Sequence, residues 1–289
     1  MAYLLSKKTY RLLKPYILYN IITYIYWFII GRNVGADALT TIPFWKPIIG
    51  IALGLEDWMI HCKPLWFLPC LMLTEILFYA FSKIRTNIFL FINIVILTCI
   101  GFFLSKQNLP PLPFAFGGAL SMIIFYYLGY ITWNKLKTTN TLYLVHSIPS
   151  IIYILIFMTS GITCFFLSLQ TQETHVFENT YGNLFYALPT AILGCASITT
   201  FCIAIYKLLP PLQWLQYIGK HTLLILAFHL IIASLIKGIT YYIFQLPLGI
   251  YEKVEVKILF AFTIIVFSIP FCRIYDRYQN KKINLLSTH

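Results

Sequence analysis

Eight long apolar runs, at about residues 16–31, 64–82, 87–104, 113–132, 144–168, 184–206, 221–241 and 253–272, leave this chain few ways to fold. Each has roughly the length a helix needs to cross a hydrocarbon layer of about 30 Å, and none shows the ten-residue alternation of a membrane barrel strand. The composition agrees, with 60% of the 289 residues hydrophobic and 10% charged, against about 25% charged in soluble domains. The expectation is an all-α, polytopic membrane bundle of eight transmembrane helices in a lipid bilayer, forming one domain over 1–289.

Positive charge orients the bundle, because cytoplasmic loops retain Lys and Arg. With the N-terminus inside, the inner segments hold 14 of the 21 cations: Lys7, Lys8, Arg11, Lys14, Lys83, Arg85, Lys135, Lys137, Lys207, Lys220, Arg273, Arg277, Lys281 and Lys282. The outer segments hold six, Arg32, Lys46, Lys63, Lys106, Lys253 and Lys257, and Lys237 falls within a span. Both termini are therefore expected in the cytoplasm. The basic stretch before the first run has no convincing cleavage site, so no signal peptide is expected.

The net charge of +12 follows from this asymmetry and from attraction to anionic lipid, which removes the case for nucleic acid as a partner. The seven cysteines form no CxxC pair, and six lie in apolar runs. They indicate neither a metal site nor a disulfide framework. Cys62, in a connection expected outside, is the thiol expected to be accessible. That connection, 32–63, holds PFWKPIIGIALGLEDW, whose apolar part is too short to span. It reads as an interfacial or re-entrant helix, with Trp45 and Trp58 at headgroup level.

No soluble-enzyme signature is present: no GxSxG, Walker loop, HExxH or dinucleotide-binding glycine pattern. Chemistry must come from polar groups within the spans or at their edges. Glu75, Asn93 and His229 lie roughly 9 to 12 Å from the inner end of their spans at 1.5 Å per residue. An ionisable group at such depth normally faces the bundle interior and finds a partner. Tyr79, one turn from Glu75, is positioned to donate to it. The same residues also read as a satisfied interhelical network without chemistry, and Lys237 as a snorkelling side chain. His146 and His61 carry weaker cases.

The segments KKTYRLLKPY (7–16), PLWFLPCLMLTE (64–75), FYYLGY (125–130) and GKHTLLILAFHL (219–230), in this order, resemble the membrane acyltransferase family 3. They are most similar to small sugar O-acetyltransferases resembling fucose 4-O-acetylase. The resemblance covers nearly the whole chain. It implies transfer of an acyl group, usually acetyl, from a cytoplasmic coenzyme A thioester to a hydroxyl of a cell-surface glycan or its lipid-linked precursor. It also implies residence in the cell membrane, for a bacterium the cytoplasmic membrane. Acetyl-CoA or another acyl-CoA would be a donor substrate, with no bound cofactor.

On that reading Arg11, with Lys8 and Lys14, would hold the donor phosphates, while the same cations also anchor the first span. His229 and Glu75 are the catalytic candidates. Family members begin with two further helices, the first carrying the His held to be the general base, and MAYLLSKK resembles the end of the second. The expectation is thus a chain short at its start, active or inactive as it stands. A transporter or flippase for a lipid-linked saccharide, and a non-catalytic remnant, are the competing readings.

Overall fold

The computed structural model describes residues 2–33, 42–83, 87–107, 109–138, 145–171 and 173–287, with side chains for all of these except 2–8, 184, 248 and 280–287. Its helices are α1 (Ala2–Ile29), α2 (Trp45–Leu53), α3 (Phe67–Ser82), α4 (Asn87–Ser105), α5 (Phe116–Thr138), α6 (Ser150–Ser168), α7 (Leu184–Leu208), α8 (Gln213–Lys220), α9 (Thr222–Tyr242) and α10 (Val254–Ser287). Among the described residues, eight stretches are long and apolar enough to cross a membrane: Thr9–Asn33, Lys63–Ser82, Asn87–Ser105, Pro113–Thr138, Ser150–Ser168, Phe185–Leu208, Thr222–Tyr242 and Val254–Gln279. Each expected run has its helix, and among the described residues β pairing is confined to one isolated bridge, His175 with Thr180.

Four boundaries move, one of them the end of the fourth span, which runs past 132 to Thr138. α1 begins at Ala2 rather than near 16, running through the basic entry segment and through Pro15, which has no N–H to offer the Arg11 carbonyl. The fifth span begins at Ser150, behind an extended Pro149 (φ −57°, ψ 142°), and residue 144 lies outside the described residues. α10 runs on to Ser287, well past 272, because the basic residues that end the apolar run are themselves good helix formers.

Contacts gather into two compact units, Met1–Thr9 with Phe67–Leu212, and Tyr10–Trp66 with Gln213–His289. In the first, Phe78 of α3, Leu90 and Ile94 of α4, and Ile123 and Tyr127 of α5 form a buried core. α4 meets α5 so closely at Gly101 that a Cβ there would stand 2.5 Å from the Ser121 nitrogen. Residues 173–183, between α6 and α7, fold down on this pair. Asn179, in the left-handed region (φ 56°), donates to the Gly101 carbonyl (3.0 Å) and accepts from the Ser121 hydroxyl (2.9 Å). α6 and α7 pair through small residues, with Ser197 donating to the Phe157 carbonyl (3.3 Å).

In the second unit α1 and α9 run in the same direction: the Tyr19 ring meets Phe228 (5.7 Å), and further along both helices the Tyr26 hydroxyl donates to Ser234 (3.2 Å). α10 runs against α9, pairing Phe271 with Phe228 (6.1 Å) and Phe260 with Lys237 (5.7 Å). These directions are the ones that spans one, seven and eight of an alternating eight-span chain must have.

Candidate active site

The polar residues of α1 fall on one face. Tyr16, Asn20, Tyr24 and Trp27 recur at the three- and four-residue spacing of a helix stripe, and Tyr16, Asn20, Thr23 and Trp27 are buried. This stripe receives the segment that follows α1. The Tyr24 hydroxyl donates to the Phe44 carbonyl (3.1 Å), and the Tyr16 hydroxyl to the Ile51 carbonyl of α2 (2.6 Å). The Tyr16 hydroxyl also lies 3.4 Å from the Met59 sulfur. At 1.5 Å per residue Tyr16 is about 25 Å of helix from the Asn33 end of its span, so the segment dips far along α1 before it returns.

Of the interfacial and re-entrant alternatives, the second describes this path. Irregular backbone at such depth is tolerated only where its polar groups are satisfied by protein, and the tyrosines supply that. Trp58 closes the short helical turn Glu56–Trp58. It packs under α2, where a Cβ on Gly50 would come within 2.7 Å of it, and its ring meets Trp45 (6.5 Å) and the Lys46 ammonium (5.7 Å). Cys62 is buried rather than accessible, with its thiol directed to the Ala227 carbonyl of α9 (3.4 Å). Burial pushes that thiol up to about 12.

His61 ends the returning limb, 94% buried. The Asn20 amide fixes its tautomer. Asn20 donates through Nδ2 to the Tyr16 carbonyl (2.9 Å), which turns Oδ1 toward His61 Nε2 (3.0 Å). Nε2 must then carry the proton, and Nδ1 is left with its lone pair. That nitrogen is buried and has no hydrogen-bond partner. The Tyr24 ring stands edge-on to the imidazole (5.8 Å). Burial lowers the His61 pKa to about 4.

His229, expected to be catalytic, sits on α9 two residues past Ala227, half-buried, with Nδ1 against the Leu226 carbonyl (2.9 Å). Nδ1 therefore donates, and Nε2 keeps its lone pair. Glu75 belongs to the other unit. Its partner is Tyr126 of α5, whose hydroxyl donates to Oε1 (3.2 Å), and not the expected Tyr79. A phenol is rigid and carries its oxygen a full ring away from its own helix, so it reaches a carboxylate on a facing helix. The Tyr79 hydroxyl is buried without a partner, and its ring carries the Lys83 ammonium (5.2 Å). Asn93 bonds the Phe89 carbonyl of its own helix (2.7 Å) rather than joining Glu75.

Arg11 and Lys14 are exposed on α1, with Lys14 over the Tyr10 ring (5.6 Å). Arg11 makes no hydrogen bond among the described residues. The side chains of Lys7, Lys8, Lys281 and Lys282, and all of Arg85, lie outside the described residues. Lys237 lies over the Tyr251 and Phe260 rings (5.5 and 5.7 Å). Lys207 is bound by carbonyls, at 2.8 Å from Val145 and 3.3 Å from His146, with Ile148 a third partner.

The GKHTL motif has a residue whose surroundings sequence did not reveal. His221 directs Nδ1 to the Tyr217 carbonyl (2.9 Å) and Nε2 to Asp276 Oδ1 (2.9 Å), while the Tyr217 hydroxyl donates to Asp276 Oδ2 (3.0 Å). The arrangement sets both ring nitrogens against oxygen acceptors. It ties the start of α9 to α10.

A family model described as an acyltransferase domain, acyltransferase family 3, matches residues 3–277. The chain belongs to this family. As an acyltransferase family 3 protein with eight apolar spans, it is a multi-pass membrane acyltransferase. No curated protein and no solved structure matches the chain. The family's WFLP and GKxTL resemblances fall at the starts of α3 and α9.

Proposed function

We propose that this acyltransferase moves an acyl group, typically acetyl, from a cytoplasmic coenzyme A thioester to a hydroxyl of a cell-surface carbohydrate or its lipid-linked precursor. The observation that carries the reading is family membership over residues 3–277. The donor class is supported by charge. Coenzyme A presents several phosphate charges, and Arg11 and Lys14 are exposed cations free to meet them, with the guanidinium able to bind a phosphate through two parallel hydrogen bonds. Lys8 precedes them on the same helix.

The excess of cations in alternate connections favours a cytoplasmic location for this end of α1 and for both termini, where acyl-CoA is found. We assign His229 to the substrate site, where Nε2 would hydrogen-bond the reacting groups, its Nδ1 being engaged by the Leu226 carbonyl. We assign Glu75, held by Tyr126, to the first unit's internal support.

Acetyl-CoA binding to the purified protein tests the donor assignment. Joint replacement Arg11→Glu and Lys14→Glu should raise Kd by about tenfold or more, while Lys253→Glu, exposed and expected on the opposite face, should leave it unchanged. Equal affinities in all three proteins would remove these cations from donor binding.

A further inference from the structure

His61 combines features that a packing residue does not need. Its ring is almost wholly buried, its tautomer is set by an asparagine that is itself oriented by a main-chain carbonyl, and the nitrogen left over is an acceptor with no donor. Leaving a buried polar atom unpaired costs on the order of 1 to 3 kcal/mol. A bare imidazole lone pair accepts a hydrogen bond, and a hydroxyl or a water is a natural donor to it.

We propose that Nδ1 of His61 accepts the proton of the substrate hydroxyl in acyl transfer, with Asn20 as the residue that positions it. The proposal rests on the acyltransferase reading above. As the hydroxyl oxygen bonds to the thioester carbonyl carbon, its proton passes to Nδ1. The addition intermediate collapses with cleavage of the C–S bond, and the coenzyme A thiolate leaves. The imidazolium proton then neutralises the thiolate, directly or through water, restoring neutral His61. The products are an ester and a free thiol, with no oxidant or reductant involved.

Two further observations fit. Burial keeps the ring unprotonated at neutral pH, so the acceptor form is the resting form. Asn20 lies nine residues along α1 from Arg11 and six from Lys14, about 13 and 9 Å of helix. An extended phosphopantetheine arm covers that distance. A donor whose phosphates rest on the basic end of α1 can therefore bring its thioester to the level of His61 within one unit. Asn20 also holds the ring in place, because its Oδ1, oriented by the Tyr16 carbonyl, accepts from Nε2 and reinforces the tautomer that leaves Nδ1 bare.

The test uses the full chain in native membranes, with acetyl-CoA labelled in the acetyl group and label recovered in the glycan fraction, per molecule of folded protein. His61→Gln keeps an amide donor for Asn20 but has no basic nitrogen at the Nδ1 position. It should lower kcat by about 10²- to 10⁴-fold, the usual contribution of a positioned base, with KM for acetyl-CoA within about threefold of the unsubstituted protein. Asn20→Leu, which leaves the ring but frees its tautomer, should also lower kcat without raising that KM. It serves as the second variant where His61→Gln does not fold.

Nitrogen NMR of ¹⁵N-histidine-labelled protein in detergent reads the tautomer independently of activity. It should show an unprotonated Nδ1 in a signal absent from His61→Gln. Unchanged kcat in a folded His61→Gln or Asn20→Leu protein, or a protonated Nδ1, overturns the assignment while the acyltransferase reading stands. Absence of transfer by the unsubstituted protein overturns both.

Discussion

At the scale of single residues, His61 sets a pH dependence whose sign is fixed by burial. Its folded-state pKa is about 4 against 6.5 for the free side chain, so between these values the unfolded chain binds the extra proton. The stabilisation from the neutral ring is complete above about pH 6.5 and is lost as pH falls toward 4. The loss is about 3 kcal/mol at most, from 1.36 kcal/mol per unit. Thermal unfolding in detergent should therefore show a steeper fall from pH 6.5 to 4 for the unsubstituted protein than for His61→Gln. Parallel curves would mean that the ring charges without cost. Cys62 makes a second prediction at this scale. Buried against the Ala227 carbonyl, it should resist a water-soluble maleimide in the native protein and react once the chain is denatured, and labelling of Cys62 in intact membranes would contradict the re-entrant path.

At the scale of elements, α1 is both a span and the wall on which the 44–62 segment is built. Tyr16→Phe removes the donor to the part-buried Ile51 carbonyl, which should lower stability by about 1 kcal/mol. It should also open the segment to a protease, and an unchanged melting temperature and digestion pattern would count against it. Glu75 belongs with Tyr126, so Glu75→Gln and Tyr126→Phe should be non-additive, with coupling of at least about 0.5 kcal/mol. Strict additivity would remove that contact.

The spans themselves were legible in the sequence because an apolar run of membrane length has one outcome. The re-entrant segment was legible only as two alternatives, since its eight apolar residues say that it cannot span but not where it goes. Asn20 was passed over, and His61 given only a weaker case, for a related reason. Tyr16, Asn20, Thr23 and Tyr24 form a polar stripe that could have been read from helical spacing, whereas the partner of His61 is 41 residues away in sequence and only folding brings it there. Glu75 could be recognised as needing a partner, but a helix pattern favoured the neighbour a turn away over the tyrosine on the facing helix. In His221 the motif was visible and Asp276, 55 residues on, was not.

At the scale of the whole molecule, eight apolar stretches among the described residues and cations concentrated in alternate connections support the proposal that both ends lie on the cytoplasmic face. A cysteine placed at Glu173 should be labelled from outside the cell and one placed at Lys220 only after the membrane is opened. The reverse pattern would invert the bundle and separate Arg11 and Lys14 from cytoplasmic acyl-CoA. The account's central claim is that this membrane protein catalyses acyl transfer from coenzyme A to a hydroxyl. Its most direct test is incubation of membranes containing the protein with acetyl-labelled acetyl-CoA, followed by measurement of alkali-labile label in the glycan and lipid-linked saccharide fractions. The account predicts ester-bound label above that of membranes lacking the protein, released by mild base as acetate. Folded protein with all label remaining on coenzyme A or appearing as free acetate would contradict it.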